Sequence, residues 1–200
     1  MQVLVTGCGR SGTLYMTNVL QAMGLNVGHE TDGPDGTVDW HAAAWPEERT
    51  AHYDVKLHLV RHPLDVFASL KDIKSTSWRY IESFAGHAPG LGGWARCMSH
   101  WLRWNLMAED VCGTDDVYQV EEIARQRNLE DLFLTLYPPE LDAAVFTSAL
   151  VGRVQEVSSR THTRANGKSY HRPTWEELGQ ADPILAGKVR FLAESYGYVN

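Results

Sequence analysis

Short unbroken apolar runs alternate along this chain with stretches in which apolar residues recur every three or four positions. Val3-Leu4-Val5 has no polar residue between its members, the pattern of a strand covered on both faces in a parallel sheet. Behind it Met16, Val19, Leu20 and Met23 fall at helical spacing from a start near Ser11, and Gly24 ends the stripe. Val55–Val60 reads as a second strand. It stops at Arg61-His62-Pro63, after which Val66, Phe67, Leu70 and Ile73 mark a helix with Pro63 in its first turn. Parallel strands need crossover helices, and those helices cover both faces of the sheet. The predicted fold class is therefore α/β, a three-layer sandwich around a central parallel sheet.

Elsewhere the pattern is looser. Residues 25–30 form a short extended segment that runs into the turn formers Thr31-Asp32-Gly33-Pro34-Asp35-Gly36. Trp94, Cys97, Met98, Trp101, Leu102 and Asn105 stand at helical spacing behind a Gly-rich linker over 86–93, with Trp104 on an adjacent face. A tryptophan stripe of this kind is more often packing than a ligand platform, though one exposed Trp could line an acceptor cleft. A capped helix is predicted over 128–136, with Leu129, Leu132, Phe133 and Leu136 on one face, and Pro138-Pro139 introduces another to about Leu150. Residues 158–172 are polar and basic without periodicity and read as a loop. Thr174-Trp175-Glu176-Glu177 is a capping box, and Asp182-Pro183 opens the last helix. Leu185, Val189, Leu192 and Tyr196 face inward there, before Gly197.

Composition narrows the classes. With 200 residues, 44% hydrophobic and 22% charged, one domain over 1–200 is expected. A net charge of −7 argues against general nucleic-acid binding, which needs a basic face, so basic residues serve locally. Cys8, Cys97 and Cys112 are odd in number and have no metal-ligand spacing, which suits reduced thiols and no metal site. No apolar run approaches a membrane span, and a strand beginning at residue 2 leaves no room for a signal peptide. The expected location is the cytoplasm, away from membranes.

The chemistry is concentrated in Gly7-Cys8-Gly9-Arg10-Ser11-Gly12-Thr13, between the first strand and its helix. Glycines there permit positive φ and close approach of a ligand to the backbone. The helix start offers unpaired N–H groups and the positive end of a dipole, and Arg10 adds a mobile charge. Gly7 and Gly12 keep the spacing of the GxxxxGK[ST] phosphate loop, but Thr13 replaces the lysine and Leu14 the magnesium-holding hydroxyl. A glycine turn that binds nothing is the plain alternative. Two further features bear on the choice. His29 and Glu30 sit at a strand end and face the same crevice, where either can act as a general base; otherwise Glu30 caps a loop and His29 is a surface residue. Arg61, at another strand end, and Ser69, on the helix that follows, can reach one anion.

Together and in this order, Gly9-Arg10-Ser11-Gly12-Thr13 and Leu59-Val60-Arg61-His62-Pro63 with Ser69 resemble the two nucleotide-binding signatures of the sulfotransferase family. The resemblance implies a P-loop-NTPase-like fold and transfer of a sulfuryl group from 3′-phosphoadenosine 5′-phosphosulfate (PAPS) to a hydroxyl or amine. The product is 3′,5′-diphosphoadenosine (PAP). By that resemblance Gly9, Arg10, Ser11, Gly12, Thr13 and Leu14 surround the 5′ phosphosulfate, and Arg61 and Ser69 hold the 3′ phosphate. Leu14 departs from the family's second threonine. Val27-Gly28-His29-Glu30-Thr31 is similar to the Cys-Gly-Glu-Glu-Thr segment of tyrosylprotein-type members, which makes Glu30, twenty positions past Arg10, the expected catalytic base and gives Arg10 the charge on the sulfuryl oxygens and the leaving 5′ phosphate. His29 is the runner-up base, with His41, His52 and His58 behind it. Residues 116–122 resemble a later sheet strand of the family. Residues 164–168 resemble loosely a segment that closes over the 3′ phosphate, which adds Arg164 and Lys168 as donor contacts; a solvated loop is the other reading.

The acceptor class stays open among small molecules, saccharides and peptides, because acceptor pockets are built from the variable segments 31–54 and 76–95. A chain this short for the family implies a shallow acceptor cleft or one completed by a second subunit, a homodimer. Two other functions compete. One is a P-loop nucleotide kinase, disfavoured by the missing lysine and by Leu14; the other is a nucleotide-binding regulatory module without turnover.

Overall fold

The computed structural model describes residues 1–71, 73–85, 91–123, 125–137, 152–154, 156 and 171–198. Strand β1 (Val3–Gly7) is buried along its whole length because it lies at the centre of an all-parallel, five-stranded sheet of order β2-β3-β1-β4-β5. Its neighbours are β3 (Gly36–Val38) and β4 (Val55–Val60), and β2 (Gly28–His29) and β5 (Val117–Gln119) are the edges. Val5 stands opposite Val38 on one side and Leu57 on the other.

The described helices are α1 (Thr13–Ala22), α2 (Glu47–Thr50), α3 (Pro63–Leu70), α4 (Ser75–Ala85), α5 (Gly93–Cys112), α6 (Gln126–Leu136), α7 (Trp175–Ala181) and α8 (Pro183–Ser195). They divide between the two faces of the sheet. Val3, Val5, Leu57 and Leu59 pack with Met16, Val19 and Leu20 of α1 and with Leu129, Leu132 and Leu136 of α6. On the opposite face Val60 joins Met98, Trp101 and Trp104 of α5 and Val189 and Leu192 of α8. Leu4 packs with Ala42 from a 3-10 turn, Trp40–Ala44, and with Tyr53. The molecule is thus an α/β three-layer sandwich, as the unbroken runs and helical stripes require.

A fully buried polar contact joins the sheet to α5. His58 alternates toward α5, where its Nε2 lies 3.1 Å from Asn105 Oδ1 with both side chains fully buried. Burial pushes the His58 pKa down to about 4.

Most element ends follow local chemistry that the sequence announces. Gly24, at φ 103°, closes α1 with Gly24 N–H to Gln21 and Leu25 N–H to Leu20, each 3.0 Å. Thr174 and Glu177 complete the capping box of α7, and Asp182 caps α8. Other bounds shift. Helix α1 opens at Thr13 rather than near Ser11, because Arg10 and Gly12 are left-handed, at φ 74° and 91°. Helix α3 stops at Leu70, leaving Ile73 in the turn before α4. Helix α6 begins at Gln126, two residues before the expected cap; the Asn128 amide instead donates to the Glu122 carbonyl at 2.9 Å. The helix expected from Pro138 and most of the loop at 158–172, with Arg164 and Lys168, lie outside the described residues. Among the described residues no helix is long and apolar enough to cross a membrane.

Candidate functional site

Between β3 and β4 the chain passes from one side of β1 to the other, and in open α/β sheets ligands bind outside the strand ends at such a switch. A cleft of about 910 Å³ lies there. It is lined by the loop after β1, the first turn of α1, the end of β2, the 3-10 turn, and parts of α3 and α4.

The loop is shaped by two close approaches. A Cβ on Gly7 would stand 2.0 Å from the Leu59 carbonyl oxygen, so only glycine lets the loop leave β1 flush against β4. Gly12 combines its positive φ with Val120 Cγ2 at 2.7 Å from where a Cβ would be. Arg10 is itself left-handed, a conformation a side chain bears at some cost and one that recurs at ligand sites. Ser11 N–H closes the turn on the Cys8 carbonyl at 3.0 Å. The N–H groups of Gly12, Thr13 and Leu14 find no acceptor among the described residues. With the dipole of α1 behind them they form a seat for an anion.

Two arginines frame that seat. Arg10 Nε donates to Ser69 Oγ at 2.8 Å, and Arg61 Nη1 donates to the Arg10 carbonyl at 3.2 Å. Arg61 is held from behind, its carbonyl accepting from Trp101 Nε1 at 3.3 Å. The turn after it is braced as well. His62 N–H donates to Glu121 Oε1 at 2.9 Å, and the Tyr198 hydroxyl donates to Glu121 Oε2 at 2.8 Å. Arg172 Nε donates to Asp65 Oδ1 at 2.7 Å, and Arg172 Nη2 donates to His62 Nδ1 at 3.3 Å. Burial, and then the Arg172 charge, lower the His62 pKa, which keeps Nδ1 an acceptor and a cap for Leu64 N–H.

The candidate bases line the same cleft. Glu30, left-handed at φ 55°, accepts the Trp40 indole N–H at 3.1 Å. His29 Nε2 lies 3.1 Å from Thr13 Oγ1 and 3.9 Å from Glu30 Oε1, so it contacts the anion loop more closely than it contacts the carboxylate. His41 also lines the cleft, with Nδ1 at 2.7 Å from Oδ1 of the buried Asp39. A buried carboxylate on Nδ1 fixes the tautomer and leaves Nε2 for a proton. His58 is buried in the core, and His52 stacks on Tyr53 away from the cleft lining.

The structure therefore brings Gly9, Arg10, Gly12, Thr13, Leu14, His29, Glu30, Arg61 and Ser69 to one cleft. Ser11 stands apart: its side chain is fully buried, outside the lining, and its Oγ has no partner among the described residues. Leu14, at 54% exposed, presents an apolar rim. Glu121, Asp65 and Trp40 are among the lining residues that escaped sequence reasoning. Glu121 follows a strand end as Arg61 does, and that position was a usable signal; Asp65 shares a helix face with Ser69. Trp40 sits in a stretch without periodicity and gave none.

Among the described residues no group of three His, Cys, Asp or Glu is placed to hold a metal ion. No family model, curated protein or solved structure matches the chain. The chemistry of the cleft itself fits a phosphate-bearing ligand, with free N–H donors at a helix start and two guanidinium groups beside them.

Proposed function

We propose that the chain is a cytoplasmic sulfotransferase that moves a sulfuryl group from PAPS to a hydroxyl or amine acceptor and releases PAP. The observation that carries this reading is the contact of Arg10 with Ser69, together with that of Arg61 with the Arg10 carbonyl. Two segments that resemble the family's nucleotide signatures, remote in sequence, meet at one P-loop-like anion seat.

The bound donor supplies a sulfuryl group whose bond to a 5′ phosphate oxygen breaks as the acceptor oxygen bonds sulfur. The residues do the rest. The N–H groups of Gly12, Thr13 and Leu14 and the Arg10 guanidinium hold the 5′ end and offset charge building on the leaving phosphate. Arg61 and Ser69 hold the 3′ phosphate, which fixes the nucleotide's direction in the cleft. His29 orients the Thr13 hydroxyl. Glu30 takes the acceptor proton, and its bond to Trp40 sets the carboxylate's direction. The Asp39–His41 pair is a second proton acceptor on the same wall, favoured by its buried carboxylate.

Incubation with sulfur-labelled PAPS and a panel of phenols, saccharides, peptides and amines tests the proposal. Label transfer with inhibition by PAP is the expected result. Tight PAP binding with no transfer to any acceptor would make the chain a regulatory module. Phosphoryl transfer from ATP that needs magnesium would make it a kinase.

A further inference from the structure

A second recess, of about 520 Å³, lies at the far edge of the sheet along β5, away from the cleft with the arginines. Its floor is Val117, Tyr118 and Ile123, and its walls include Glu109, Glu122 and Tyr196. We propose that this groove binds a basic peptide segment in extended form, which adds to β5 as a sixth strand.

The backbone carries the first part of the argument. Among the described residues β5 pairs with β4 on one side only, through His58 N–H to Asp116 and Val120 N–H to Val60, each 2.9 Å. In a parallel ladder alternate residues turn to opposite sides, so residues 116, 118 and 120 face β4 and residues 117 and 119 face outward. The Val117 N–H, the Val117 carbonyl and the Gln119 N–H find no partner among the described residues. An open edge of this sort is a template for another extended chain.

Charge decides what kind of chain. From residue 109 to 122 the sequence has no Lys, Arg or His, and two carboxylates, Glu109 and Glu122, line the groove. Glu109 accepts from the Tyr196 hydroxyl and Glu122 pairs with Arg125, contacts that fix their carboxylates at the groove without removing the acidic excess. The carboxyl ends of α5 and α8 arrive at the same place, at Cys112 and Ser195, and helix carboxyl ends attract cations. The amino end of α6, with Arg125 beside it, opposes them at one end of the groove. In a sixth strand of alternating Lys and Val the two kinds of side chain turn to opposite faces of the sheet, so that Lys on the face of Tyr118 and α6 meets Glu122 while Val lies beside Val117 on the face of α5.

The test uses the full chain and two labelled, end-blocked heptapeptides, one alternating Lys and Val and the other alternating Glu and Val, followed by fluorescence anisotropy. The Lys peptide should bind at least about tenfold more tightly than the Glu peptide, and added salt should weaken it. Val117→Pro removes an outward N–H while the inner ladder through Tyr118 stays intact, so it should weaken the Lys peptide about tenfold with PAP binding unchanged. Should that variant fail to fold, Glu122→Lys keeps the edge and inverts one wall, and it should bring the two peptides toward equal affinity. The proposal is overturned if the Lys peptide does not bind, if both peptides bind alike to the wild type, or if a folded Val117→Pro binds as the wild type does.

Discussion

Arg61 is the residue whose assignment is most exposed to test, because it touches both the anion seat and the backbone of the loop. Arg61→Ala should weaken PAP far more than adenosine 5′-phosphate, by roughly 2–5 kcal/mol, the usual cost of removing one partner of a buried charged contact. Calorimetry on both ligands checks this; equal losses would show that Arg61 only props the loop through the Arg10 carbonyl. Glu30→Gln should lower turnover by about 10²–10⁴ and leave donor affinity nearly unchanged. His41→Gln should keep most turnover. A dead His41→Gln beside an active Glu30→Gln would pass the role of base to the Asp39–His41 pair. Arg10, Arg61 and Ser69 were legible in the sequence because glycine spacing and strand ends are local signals. The Trp40–Glu30 bond was not, since it joins two loop residues whose approach depends on how β3 is inserted beside β1.

At the scale of elements, β1, β4, α1, α3 and α8 are written in apolar runs, stripes and caps. Strand β3 is not: three residues, Gly-Thr-Val, carry no periodicity, and they form a strand only because β1 lies alongside. Helix α4 was not read from the sequence, although Trp78 and Ile81, three apart, are buried in the core. The contact between β4 and α5 yields a pH prediction. His58 has a folded-state pKa lowered from 6.5 to about 4, and burial is the largest cause. Above pH 6.5 both folded and unfolded states leave it neutral, and it contributes nothing to pH dependence. As pH falls from 6.5 toward 4 the unfolded chain takes the proton first, and stability should drop by up to about 3 kcal/mol. His58→Gln, whose amide can still donate to Asn105, should flatten that slope in urea unfolding measured at several pH values. A slope unchanged by the substitution would place the titration elsewhere.

Across the whole molecule charge is divided, with the arginines at the start of α1 and an acidic edge beyond β5. That division suits a donor held by arginine, and Leu14 offers no oxygen where a phosphate loop would anchor magnesium. Transfer should therefore persist in EDTA, and Arg10→Ala should stay inactive in millimolar magnesium. A wild type that loses activity in EDTA and regains it with magnesium would overturn this reading of the loop. The loop also carries a built-in reporter. Cys8 is fully buried, and burial, with Cys97 nearby, raises its pKa well above that of an ordinary thiol, so a thiol reagent can reach it only when the loop opens. Labelling of Cys8, read peptide by peptide in a mass spectrometer, then counts opening events, and Cys112, half-buried at the end of α5, serves as the internal standard. PAP at about a hundred times its dissociation constant should slow Cys8 roughly a hundredfold and leave Cys112 nearly unchanged.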